Sequence, residues 1–159
     1  MRASATVLSN NILVRGRKEN IDISPMKLQK LLYYVCVEYV KQSGKLPISE
    51  HFEVWKYGPV LASVYAEFKP FGSNPITSYA QNAKGKSKMV DESCNPLLKK
   101  CLDTVWDMFK NDSAITLSMR THQEGSGWYT AYQEGRNAIS TKDMSDDTTI
   151  EKRSSTDLR

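Results

Sequence analysis

The 159-residue sequence contains three cysteines and two histidines, and neither set is arranged for chemistry. Cys36, Cys94 and Cys101 offer no CxxC pair and no histidine at ligand spacing, which argues against the usual zinc patterns. Cys36 and Cys101 fall inside apolar helical runs, where a free thiol serves as a small buried hydrophobe. Val35 and Val37 beside Cys36 set an apolar environment that raises a thiol pKa and leaves it inert. Unpaired thiols point to a reducing cytoplasm. A nucleophile elbow, a phosphate-cradling glycine loop, a dinucleotide fingerprint and a paired-histidine metalloprotease helix are all missing from the sequence. His122 and Glu124 come nearest to an acid/base pair, but residues two apart on a helix do not face each other. No catalytic residue, metal or cofactor is expected. No apolar run approaches membrane-spanning length, and the N-terminal residues lack the apolar core of a leader.

Strong charge of one sign is also missing. The formal charge of +4 comes from 22 basic and 18 acidic residues spread along the chain, without the clustered basic face that nucleic acid requires. The densest run, Lys84, Lys86 and Lys88 separated by Gly85 and Ser87, has no helical spacing and reads as a solvated loop. Together with Arg15, Gly16, Arg17 and Lys18 it is the footprint that a nucleic-acid-binding regulator would use, the weaker of two readings.

What the sequence does contain is helix punctuation. Residues 4–17 carry Val7, Leu8, Ile12 and Leu13 at roughly helical spacing, diluted by Asn10 and Asn11. Ser24 before Pro25 marks a capped start, and Leu28, Leu31, Leu32, Val35 and Tyr39 then share one face until Gly44 and Pro47. Asn95-Pro96 repeats that start ahead of Leu98, Cys101, Leu102, Val105 and Phe109. Trp106 belongs at the edge of that stripe. Ser113 or Asp112, Ser126, and Ser140 with Asp143 predict three shorter helices. Residues 73–93 have no helical period and read as an extended, mobile connection with a brief strand over 76–79.

The stretch FEVWKYGPV at 52–60 alternates in residues that favour a pleated surface and predicts a strand over 52–57. Gly58 then provides a permissive backbone position, and Pro59 is placed to open a helix carrying Val60, Leu61, Val64, Tyr65 and Phe68. The expected fold is mainly α with a small β element. Tyr33 and Tyr34 lie about 100° apart on their helix, so one of them is expected near solvent.

Three blocks, SPMKLQKLLYY at 24–34, FEVWKYGPVLASVYAEFKPFG at 52–72 and LSMRTHQEGSGWYTAYQEGRNAI at 117–139, resemble in order and spacing the Panacea domain, the SocA-like antitoxin family of bacteria and their phages. The positions that carry the resemblance are Leu28, Gln29, Lys30, Leu31, Tyr33, Trp55, Tyr57, Gly58, Pro59, Val60, Thr121, His122, Glu124 and Trp128. It implies one domain over 1–144 and a non-enzymatic protein that binds and neutralises a cognate toxin encoded beside it; the family's toxins include translation inhibitors, and one member instead delivers its toxin to a protease. A phage-encoded adaptor or inhibitor of a host protein is a weaker alternative. The sequence departs from the family pattern after Ile139, and 145–159 reads as a frayed polar tail. Partner contacts are expected on exposed faces of the Pro25 and Pro59 helices and on loop 73–93, with Lys27, Lys30, Tyr34, Lys56 and Tyr57 as candidates.

Overall fold

A computed structural model describes residues 2–151. Helix α1 (Ala5–Glu19) leads into α2 (Pro25–Ser43), followed by strands β1 (Glu53–Trp55) and β2 (Gly58–Val60) and helix α3 (Ala62–Phe68). After a long connection come α4 (Pro96–Phe109), α5 (Ala114–Thr121), α6 (Gly127–Gln133) and α7 (Thr141–Ser145). The fold is mainly helical with one two-stranded antiparallel sheet, and no strand forms over 76–79. The capping signals hold: Ser24, Asn95, Ser113, Ser126 and Ser140 each accept from a first-turn amide, and Ser140 with Asp143 forms a reciprocal capping box.

Helix α2 is the axis of the molecule. Its expected single apolar stripe gives way to burial all round, from Lys27 to Val37. A helix in that position must satisfy its polar side chains internally. Tyr33 and Tyr34 are both buried, correcting the expectation that one faces water. Tyr33 packs edge-on to Phe52 at 5.3 Å, and Tyr34 stacks on Phe109 at 4.8 Å. Their different directions are served by partners from separate parts of the chain.

Some of those partners come from the segment expected to fray. Tyr33 donates to Asp147 at 2.6 Å, Tyr34 pairs with Thr149 at 2.8 Å, and Ile150 is buried in the core. Asp147 also accepts from the Gly127 amide at 3.0 Å, and Arg120 donates to the Thr149 carbonyl at 3.0 Å. Residues 146–150 are therefore fixed to the core; the rest of the expected tail, 152–159, lies outside the described residues.

The 73–93 connection is likewise anchored. Asn10 exchanges two hydrogen bonds with the Ala80 backbone at 2.8 and 3.1 Å and donates to Lys88. Asn11 does the same for Val90, at 2.8 and 2.9 Å. The two asparagines that weakened the helical pattern of α1 are its attachment points for the loop.

Candidate functional site

The β1–β2 hairpin and its surroundings collect most of the positions singled out in the sequence. Lys56 and Tyr57 form its two-residue loop, with Trp55 paired to Gly58, Val54 to Pro59 and Glu53 to Val60. Pro59 thus lies in the returning strand, and α3 begins at Ala62, a correction to the expected proline-opened helix. Because a two-residue loop closes on a hydrogen-bonded pair, Val54 and Pro59 form the next, non-hydrogen-bonded pair, where the missing proline N–H costs nothing. Backbone groups at such positions point away from the partner strand.

Helix α2 meets those outward groups with side chains. Lys30 Nζ donates to the Pro59 carbonyl at 3.0 Å, while Gln29 gives and receives one bond each with Leu61, at 3.0 and 2.9 Å. The other edge of the hairpin is covered by residues 137–139, through Val54 N to Asn137 O at 2.8 Å and Ile139 N to Phe52 O at 2.9 Å. From below, Ser118 donates to Tyr57 O at 2.5 Å and Trp128 Nε1 to Trp55 O at 2.8 Å. His122 lies edge-on to Trp128 at 5.3 Å with its Nδ1 on the Ser118 carbonyl. Both edges of the hairpin are thereby satisfied.

Gly58 sits at φ +117°, where a Cβ would come within 3.1 Å of both Lys30 Nζ and Thr121 Oγ1. The permissive residue is required by close approach as well as by backbone angle. Gln29, Lys30, Gly58, Pro59, Thr121 and Trp128 are therefore parts of one clamp. Leu28 and Leu31 are core, and Glu124 is exposed in the α5–α6 turn.

Above the clamp lies a cleft of about 370 Å³. Its walls come from the start of α2 (Pro25, Met26, Gln29, Lys30), the hairpin (Trp55, Lys56, Tyr57, Val60), Tyr65 of α3, and Gly72. Trp55 packs against Tyr65 at 4.9 Å and donates its indole N–H to Glu53 at 2.8 Å. Of the expected contact residues, Lys56 and Tyr57 are exposed at this cleft, and Lys56 Nζ lies 5.4 Å from the Tyr57 ring. Lys27, Lys30 and Tyr34 are not on an exposed helix face. Lys27 is 7% exposed and donates to the Lys110 carbonyl, and Tyr34 is in the core. Lys30 is 2% exposed, and burial pulls its pKa down to about 7.

Met26 and Tyr65 also line the cleft, and the sequence does not mark them as contacts. The apolar pattern places Tyr65 in the stripe of α3, but that helix buries Val64 and Phe68 and leaves Tyr65 42% exposed. The spacing of Leu61, Val64 and Phe68 already defines a complete face, which is the signal that sets Tyr65 aside.

No group of His, Cys, Asp or Glu among the described residues is placed to hold a metal ion. Cys36 and Cys101 are buried as expected, with the Cys101 thiol pushed up to about 12 by burial, and Cys94 is exposed. No described helix is long and apolar enough to cross a membrane.

The chain is 34% identical over 76 residues to Antitoxin SocA of Caulobacter vibrioides (strain NA1000 / CB15N), a span covering 48% of this chain and 40% of that protein. It thus corresponds to well under two thirds of that curated relative's length. No solved structure matches the chain. The profile of the family described as Antitoxin SocA-like, Panacea domain, matches residues 28–129, from the clamp residues of α2 through the hairpin to Trp128 of α6, and the chain belongs to that family.

Proposed function

We propose that this protein is a non-enzymatic antitoxin that neutralises a cognate toxin by direct protein–protein contact, in the manner of a type II toxin–antitoxin pair in the cytoplasm. The observation that carries this reading is the family match over residues 28–129, which spans the hairpin clamp and the aromatic cleft built on it. Tyr57 and Tyr65 at that cleft, 58% and 42% exposed, are the kind of side chain that dominates protein interfaces. The toxin is expected from a neighbouring gene.

The nucleic-acid reading loses part of its footprint. Arg15 is bound to Glu92 at 2.8 Å and Asp103 at 2.7 Å, leaving the exposed Arg17 and Lys18 on α1 and lysines 84, 86 and 88 on their loop. Co-expression with the neighbouring gene's product tests the proposal: growth arrest relieved by this chain, with a stoichiometric complex stable in moderate salt, is expected. Arrest without relief and no co-purifying complex would reject it. DNA binding that falls steeply with salt would favour the regulator instead.

A further inference from the structure

Lys30 lacks the charge complement that Arg15, Arg136 and Lys27 each have. Arg15 has Glu92 and Asp103, Arg136 has Asp143 at 2.8 Å, and Lys27 lies within the influence of Asp112 and Asp22. Lys30 has the Pro59 carbonyl as its hydrogen-bond acceptor, and no carboxylate among the described residues pairs with it. An ammonium has three donors, so two remain beyond that bond. Burying such a group without an opposite charge is costly, and a partner that brings the charge recovers the cost.

The cleft that Lys30 helps to line contains no acidic side chain. Lys56 stands at its rim, and Lys69 lies 5.8 Å from the Tyr65 ring. Its remaining lining includes the apolar and aromatic side chains of Met26, Trp55, Tyr57, Val60 and Tyr65. At about 370 Å³ it is sized for one or two side chains rather than for a folded element. Lys56 at the rim, a buried Lys30 in the lining and apolar and aromatic walls are together complementary to an acidic residue flanked by an apolar one.

We propose that this cleft is the toxin-docking pocket and that it takes an acidic side chain of the partner, its carboxylate directed at Lys30 and Lys56, with a neighbouring apolar side chain against Met26, Trp55 and Tyr65. The proposal rests on the reading that the chain acts by binding a protein. A nucleic-acid strand fits less well, since the walls are apolar and the exposed lysine run lies on a different loop.

The test selects a displayed library of random dodecapeptides on the intact chain and measures the chosen peptides against the intact protein, Lys30→Met and Tyr65→Ser. Tyr65 is exposed, so its variant reports on the pocket even if Lys30→Met perturbs folding. The expected peptides pair Asp or Glu with an adjacent large apolar residue. Replacing that acid by its amide, or Lys30 by Met, should weaken binding about tenfold or more, and Tyr65→Ser should weaken it too. Failure to enrich peptides, enrichment without an acidic residue, or binding unchanged in both variants would overturn the proposal. Competition by a random single-stranded oligonucleotide in place of the peptides would also overturn it.

The growth-rescue assay separates this outcome from the broader one. Rescue by the intact chain and equally by both variants would leave the antitoxin reading standing and remove the pocket. Lys30-dependent peptide binding without any rescue would retain an acidic-segment pocket and remove the antitoxin reading.

Discussion

At the scale of single residues, the clamp depends on two positions whose roles are opposite in kind. Gly58 is defined by what it lacks. Gly58→Ala forces a side chain into a positive-φ position already crowded by Lys30 and Thr121, and should lower unfolding free energy by about 2 kcal/mol in chemical denaturation. Lys30 is defined by what its surroundings lack. With its folded pKa near 7 and an ordinary value of 10.5, the folded chain binds fewer protons than the unfolded chain between those pH values. Stability therefore rises with pH across that window, by up to ~1.4 kcal/mol per pH unit from this one group. Denaturation of the intact protein and Lys30→Met at several pH values should show that rise in their difference. A difference independent of pH would mean that Lys30 has a normal pKa. Lys30 was placed on an exposed face from sequence because lysine usually belongs there; only the hairpin lying over α2 shows that it is interior.

At the scale of elements, local chemistry was legible and long-range chemistry was not. The starts of α2, α4, α5, α6 and α7 could be read because a cap and its amides are three residues apart. The Gly58-Pro59 corner was misread because a proline can open a helix or occupy a non-hydrogen-bonded strand position, and the choice is made by Gln29 and Lys30 from another element. The same reason explains the loop over 73–93. Its backbone groups are satisfied by Asn10 and Asn11, some 70 residues away in sequence for the Asn10–Ala80 pair. Asn10→Ala removes three of these bonds and should cost about 1–3 kcal/mol. Limited proteolysis should then cut near residues 82–88 faster than in the intact protein, and an unchanged cleavage rate would show that the asparagine does not hold the loop.

At the scale of the whole molecule, α2 is enclosed by elements from both ends of the chain. Its burial all round was not readable, since Lys27, Gln29 and Lys30 give it a polar side that resembles a solvated face. The role of 146–150 was hidden for a related reason. Asp147 and Thr149 look like polar tail residues, yet both are fully buried against the hydroxyls of Tyr33 and Tyr34. A chain ending at Ser145 loses those partners and the buried Ile150, and should melt at a distinctly lower temperature than the full chain. The resemblance was readable because the positions that carry it include the six clamp residues, which come from three separated blocks and serve one hairpin. The most direct measurement is co-expression of this chain with the product of the neighbouring gene, scored for growth and for a co-purified complex. Direct neutralisation predicts restored growth and a stoichiometric complex, both diminished by Tyr65→Ser. Growth arrest that this chain leaves unrelieved, with no complex recovered, would contradict it.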